Sequence, residues 1–270
     1  MRKLTRVLLT LATLWAGLPA NAQNKKFSLK GMYFQWGYNK EFYTRSNIHV
    51  MLSDGSDFKI LKGRAHDKPD YDAILEKPTE ISIPQYNYRL GFYLDKNHRH
   101  ALELNFDHIK YVLTDGQKVK VVGFINKVPV YGDSILDPDK FMHLEHTDGG
   151  NLLHLNYVSQ KTILRSTART RDLLTLVYKF GAGINIPRTD FTYHGDRYNN
   201  DFHVAGYNFG TEAGIRFFPL RHLFIEATGK TGYVRVVNAL ANTTSMKGDR
   251  VRHGYGYFEC IATLGYDINF

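Results

Sequence analysis

Counting back from Phe270 in steps of two gives Ile268, Tyr266, Leu264, Ala262, Cys260 and Phe258, all apolar or aromatic. Between them stand Asn269, Asp267, Gly265, Thr263, Ile261, Glu259 and Tyr257, most of them polar, small or charged. Successive side chains of a strand point to opposite faces, so Tyr255 to Phe270 predicts a strand with one apolar and one polar face. The same alternation recurs upstream. Lys30 to Tyr38 sets Met32, Phe34, Trp36 and Tyr38 against Tyr33, Gln35 and Gly37. Asn47 to Ser53 and Asp57 to Ala65 flank a turn at Asp54-Gly55. Pro84 to Leu94 sets Tyr86, Tyr88, Leu90 and Phe92 against Asn87, Arg89 and Gly91. After the polar break Asp95-Lys96-Asn97, Arg99 to Val112 sets Leu102, Leu104 and Phe106 against Glu103, Asn105 and Asp107. Asn151 to Tyr157, Leu173 to Ile186, His203 to Phe217 and Leu223 to Val234 follow, the last two joined at Pro219-Leu220-Arg221.

This is an all-β chain of about ten strands, with eight as the alternative if Asn47 to Ala65 pairs differently. A soluble sandwich and a closed transmembrane barrel both alternate in this way. Mean hydropathy is only −0.36, but barrels give weak hydropathy signals because alternate residues face the lumen. The 18 Tyr and 17 Phe suit aromatic girdles at two interfaces. Link lengths decide for the barrel. If both ends of the chain lie in the periplasm, the strand number is even. The tight links at Asp54, Asp95 and Pro219, with a moderate one at Gln160 to Arg171, then share the periplasmic side. The longer links, 39–46, 67–83, 113–150, 187–202 and 236–254, fall outside. Short periplasmic turns and long external loops are the pattern of an antiparallel up-and-down outer-membrane barrel.

The N-terminus fits export. Arg2, Lys3 and Arg6 precede the largely apolar Val7 to Leu18, and Ala20-Asn21-Ala22 is a small-x-small cleavage site. We expect residues 1–22 to be a Sec-type signal peptide and 23–270 to form one barrel domain of the bacterial outer membrane. The alternative, an N-terminal anchor, is disfavoured because spanning takes about 20 apolar residues. Cys260 is the sole cysteine, so no intramolecular disulfide and no lipid-bearing cysteine at the cleavage site is expected. Net charge is +9, and loss of Arg2, Lys3 and Arg6 leaves an excess of cations. That excess suits either anionic lipopolysaccharide or merely solvated loops. No nucleic-acid module is visible.

Alternation assigns Phe258, Cys260, Ala262, Leu264, Tyr266, Ile268 and Phe270 to the lipid face of the closing strand. The same strand is the expected handle for the barrel-assembly machinery. Arg89, Glu103, Asp107, Lys179, Glu212, Arg216, Glu226, Lys230, Glu259 and Asp267 fall on the inward face. Their mixed signs predict a cross-lumen network of ion pairs rather than a selective ring. Small barrels have interiors that side chains fill.

The densest cluster of reactive side chains is Phe141 to His154, FMHLEHTDGGNLLH, with His143, Glu145, His146, Asp148 and His154. Imidazoles and carboxylates this close could hold a divalent ion. His143 and His146 are three apart, however, which suits neither the i, i+4 spacing of a helical site nor the i, i+2 spacing of a strand. A hydrogen-bonded loop is the plainer reading. His66-Asp67 is a second candidate pair, but strand neighbours point apart. His98 and His100 flank a tight turn and read as interfacial. No Gly-x-Ser-x-Gly elbow, phosphate loop or Cys cluster is present, and no cofactor is implied.

The stretches GMYFQWGYNKEFYTRSNIHV (Gly31 to Val50), RAHDKPD (Arg64 to Asp70), ISIPQYNYRLGFY (Ile81 to Tyr93), HLEHTDGGN (His143 to Asn151), GAGINIPRTD (Gly181 to Asp190) and FHVAGYNFGTEAGIRFF (Phe202 to Phe218) resemble outer-membrane β-barrel proteins of Bacteroidetes-type bacteria. The resemblance covers most of the mature chain. It implies the barrel and its location, and carries over no activity or catalytic residue. We therefore expect a small monomeric barrel amid lipid and lipopolysaccharide, with a structural, adhesive or ligand-binding role set by its external loops. Two alternatives remain at this stage. One is a rim enzyme acting on lipid A, lipid or peptide through His143, His146 or Asp148. The other is a narrow, porin-like channel for small polar solutes.

Overall fold

The computed structural model describes residues 29–70, 72, 76, 85–167, 171–241 and 248–270. The expected signal peptide, residues 1–22, lies outside them. In chain order the strands are β1 (Gly31–Tyr43), β2 (Ser46–Met51), β3 (Asp57–Gly63), β4 (Ala65–Asp67), β5 (Tyr86–Tyr93), β6 (His100–Asp107), β7 (Tyr111–Leu113) and β8 (Lys118–Ile125). They continue with β9 (Val128–Ile135), β10 (Met142–His146), β11 (Gly150–Arg165), β12 (Asp172–Tyr193), β13 (Asp196–Phe202), β14 (Gly206–Phe217), β15 (Leu223–Leu240) and β16 (Arg250–Asn269).

Eight of them close a ring in the order β1-β5-β6-β11-β12-β14-β15-β16 and back to β1, every pair antiparallel. The ring thus has the smaller of the two strand counts that the sequence leaves open. Closure leaves no unpaired edge in the ring itself. In β16 the inward positions Glu259, Ile261, Thr263, Gly265 and Asp267 are buried, whereas Phe258, Cys260, Ala262, Leu264, Tyr266, Ile268 and Phe270 are exposed on the outside. Phe34, Leu104, Leu155, Phe180, Phe209 and Ile225 continue this half-exposed apolar belt around the ring.

Inward glycines make room for large side chains. A Cβ on Gly91 would lie 2.0 Å from Cζ of Tyr33, and one on Gly265 would lie 2.1 Å from Cζ of Phe224. Each glycine lets an aromatic ring lie flat across the neighbouring strand.

The long strands overrun the belt, and their excess length carries a second structure. β12 has 22 residues, β16 has 20 and β15 has 18. Beyond the belt, β16 pairs with β2, and the sheet continues β2-β3-β8-β9. The upper part of β12 pairs with β10 and β13, and β10 continues through β7 to β4. Ile48, Val50, Phe58, Ile60, Tyr111, Leu113, Val121, Met142, Leu144 and Phe191 form one buried apolar cluster from these strands. Val234, Val236, Val251, Tyr255 and Tyr257 at the top of the ring belong to it too. The ring therefore bears a folded head with its own core.

The head corrects several expectations. Asn47 to Ala65 supplies β2 and β3 of the head, not two ring strands. The turn at Asp54-Gly55 consequently lies at the opposite end of the molecule from those at Asp95 and Pro219. The expected loop 113–150 contains β8, β9 and β10, and 187–202 is mostly the end of β12 plus β13. The link after β1 shrinks to Thr44 and Arg45. The β8–β9 turn falls at Asn126-Lys127, where both residues have positive φ, 49° and 66°. That is the conformation a two-residue hairpin of matching twist requires.

Candidate functional site

The ring strands aim charged side chains inward from every side. Arg89 on β5 donates through Nη1 to both carboxylate oxygens of Glu212 on β14, at 2.7 and 2.9 Å. It also lies 3.6 Å from Glu103 and 3.8 Å from Asp107. Lys179 on β12 meets Glu226 at 2.7 Å and both Glu103 and Glu212 at 3.1 Å. Arg216 donates to Glu226 at 2.8 Å and to the Tyr93 hydroxyl at 3.0 Å. Its guanidinium also stacks over the rings of Tyr33 and Phe224, at 4.6 and 4.1 Å. Lys230 donates to Asp107 at 2.5 Å and lies 3.9 Å from Glu259. The Tyr33 hydroxyl donates to Glu103 at 2.7 Å, and that of Tyr93 donates to Asp267 at 2.8 Å. Asn39 bridges Glu41 and Glu259, at 2.9 and 2.6 Å.

Arg89, Glu103, Asp107, Lys179, Glu212, Arg216, Glu226, Lys230, Glu259 and Asp267 are all buried, none more than 6 % exposed. Glu103, Asp107, Lys179, Arg216 and Glu259 are fully buried. Burying so many charges is costly unless each is paired and hydrogen-bonded, and here cations and carboxylates interleave so that each cation touches at least one carboxylate. The layer fills the lumen with buried side chains, and the apolar core of the head packs onto Tyr255 and Tyr257 at the top of the ring.

The reactive side chains of the head do not converge into a site. On β10, Met142, Leu144 and His146 are buried, while His143 and Glu145 point to the other face. His143 Nδ1 lies 2.7 Å from Asp115 and Nε2 lies 3.4 Å from Glu145. Burial works to lower the His143 pKa, but the bonds to Glu145 and Asp115 outweigh it and raise the pKa above its ordinary value. The same His143 contact, aided by the Thr147 hydroxyl, lowers Glu145 to about 2 despite partial burial. Both ring nitrogens of His143 face carboxylates, so neither is free to accept a substrate proton or to bind a metal. Asp148 is held by Arg188 at 3.3 Å and by Asn199 at 3.0 Å. His154 lies in the lumen on β11.

His146 is buried, with Nε2 3.1 Å from Nε2 of His253 and its ring tilted against Tyr111. Burial lowers its pKa to about 4, and the pKa of His253 falls well below the usual imidazole value for the same reason. The candidate ligands His143, Glu145, His146 and His154 thus lie in three separate places. Among the described residues no group of three or more His, Cys, Asp or Glu side chains is placed to hold a metal ion. His66 bonds Thr114 while Asp67 accepts from the Glu41 amide, so these neighbours form no pair either.

The outward face of the β8–β9 hairpin was not foreseen. Phe124 and Tyr131 lie exposed there, and Lys120 sits 4.4 Å above the Tyr131 ring. Among the described residues β9 pairs with β8 alone, so its outer edge is open. The alternation Lys118-Val119-Lys120-Val121 and the turn-forming Asn126 were the available signals.

No family model matches the chain, and no curated protein matches it by sequence. Among solved structures, the outer membrane protein OprG from Pseudomonas aeruginosa aligns with 10% identity and a TM-score of 0.44, covering 90% of this chain and 98% of that one. The outer membrane protein AlkL in DMPC bilayers aligns with 8% identity and a TM-score of 0.43, covering 94% and 97%. Neisserial surface protein A aligns with 10% identity and a TM-score of 0.38, covering 90% and 99%.

Proposed function

We propose that this chain is an outer-membrane β-barrel with a closed lumen, whose activity is recognition by the folded head it holds outside the cell. The single observation that carries this reading is the pairing of a sealed ring with a head that has its own core. A conduit needs a path, and here the lumen is filled with buried, paired side chains. An enzyme at the rim needs an available base, and both nitrogens of His143 are engaged. The half-exposed apolar belt supports placement in a bilayer, because a soluble chain rarely leaves so continuous an apolar surface open. The outward face of β16 from Phe258 to Ile268 also matches the roughly 9–11 residues a tilted strand needs to cross.

In this reading the belt meets lipid and lipopolysaccharide, and the closing strand β16 engages the assembly machinery. The short turns at Asp95, Ser166 and Pro219 face the periplasm. The outer face of β3, β8 and β9, with Phe124, Tyr131 and Lys120, is the recognition surface. Exposed aromatics are among the side chains most enriched where proteins bind partners.

Orientation and location are tested together by labelling intact cells with a membrane-impermeant maleimide, in a Cys260→Ser background. Tyr131→Cys should label on intact cells, whereas Asn97→Cys should label only after permeabilisation. The reverse pattern, or a protein found in the soluble fraction, would overturn the proposal.

A further inference from the structure

At the turn end of the ring the lumen opens into a cavity of about 970 Å³, on the far side of the ion-pair layer from the head. Its floor is made by Tyr93, Gln160, Thr175 and Asp267, all buried. Arg216 seals it from behind by donating to Tyr93. The walls are basic. Lys96 and Arg99 come from the β5–β6 turn, Arg165 and Arg171 from the ends of β11 and β12, and Arg221 from the β14–β15 turn. The lining carboxylates are already engaged. Asp172 accepts from Arg165 Nε at 3.1 Å, and Asp267 accepts from Tyr93 at 2.8 Å. Arg171 is fixed by donating to the Pro219 carbonyl at 3.1 Å. No ion pair holds Lys96, Arg99 or Arg221 among the described residues. At the floor, the buried Gln160 amide nitrogen lies beside the Tyr93 hydroxyl but makes no well-formed hydrogen bond.

We propose that this mouth is a binding site for a small molecule carrying two or more phosphate groups. The volume lies within the roughly 300–1,000 Å³ of ligand pockets. Guanidinium forks match phosphate oxygens in pairs, and they come here from three separate turns. One phosphate can satisfy one turn, so a ligand that neutralises the whole mouth bears several. The Gln160 amide offers a neutral donor at the bottom. Because the floor is sealed, the ligand is held and not passed on. The site is built from the turns themselves and does not rest on which side of a membrane they face.

The test is isothermal titration of the full chain in nonionic micelles with sodium tripolyphosphate. Saturable one-site binding that weakens with added salt is expected. The double variant Arg99→Gln, Arg221→Gln should raise Kd by about tenfold or more, since each lost charge-assisted contact is worth a large part of a decade. Its heat-modifiable gel migration should be unchanged, which shows that the barrel still folds. Lys118→Gln with Lys120→Gln, in the head, should bind as the unaltered protein does. Doping the micelles with a diphosphate lipid, cardiolipin, separates the two sources of phosphate. Competition assigns the site to a lipid headgroup, and its absence assigns it to a soluble compound. No saturable binding, or equal Kd in the Arg99 and Arg221 variant, would overturn the proposal. Either result leaves the labelling test of the head and its orientation unaffected.

Discussion

Replacing Lys230 by Met removes the cation that stands 2.5 Å from Asp107 in a layer with almost no accessible surface. Met keeps most of the side-chain volume, so the change is chiefly one of charge. Asp107 then faces only Arg89, at 3.8 Å, and Arg89 is already engaged by Glu212. Stranding one partner of a buried pair costs about 3–5 kcal/mol. Asp107→Asn strands Lys230 in turn, with Glu259 at 3.9 Å as its remaining partner, and should cost a similar amount. The double variant Lys230→Met, Asp107→Asn removes both charges. It should be far less damaging than the sum, with a coupling of about 1–3 kcal/mol. The assay is equilibrium urea unfolding in phospholipid vesicles, followed by the fluorescence of Trp36. If each single variant costs under about 1 kcal/mol and the two simply add, the charges are reached by water, as in exposed pairs, and the sealed lumen is refuted.

Two further outcomes follow from the same geometry. Gly91→Ala places a Cβ 2.0 Å from the Tyr33 ring and must displace it from Glu103. A loss of about 1–3 kcal/mol is expected from such overpacking, read as a lower urea midpoint; an unchanged midpoint would show that the ring does not lie there. The head should loosen in acid. The folded pKa of His146, about 4, lies below the usual value near 6.5, so the unfolded head takes up protons that the folded head refuses. Stability is therefore full above about pH 6.5 and falls as pH drops toward about 4. His143, raised by its carboxylates, acts in the opposite sense and above that window. Hydrogen exchange of the β2 and β10 amides should quicken across it, and His146→Phe with His253→Leu should remove the dependence. An acid response that survives this double substitution would exclude the pair as its cause.

The ring was legible because each of its strands separates an apolar outside from a polar inside, as Tyr86 to Tyr93 and Phe258 to Asn269 do. A period of two survives only where the two faces meet different surroundings. The head lacks that contrast. Tyr111, Val112 and Leu113 are all buried, and β4 and β7, at three residues each, are too short to show any period. β2 and β3 do alternate, and so imitate ring strands; only their pairing with β16 and β8 places them in the head. In the lumen, alternation puts Arg89 and Lys179 on the inward face of their own strands. That Arg89 reaches Glu212 and Lys179 reaches Glu226 depends on ring size and register across the barrel, which no local pattern encodes. The same holds for His146, whose partner His253 is 107 residues away.

The central claim is that the barrel is sealed and works through its head. Planar-bilayer recording of the full chain, heat-modifiable and inserted at known density, tests this most directly. The account predicts a silent bilayer at all applied voltages. Reproducible single-channel steps from the folded protein would contradict it.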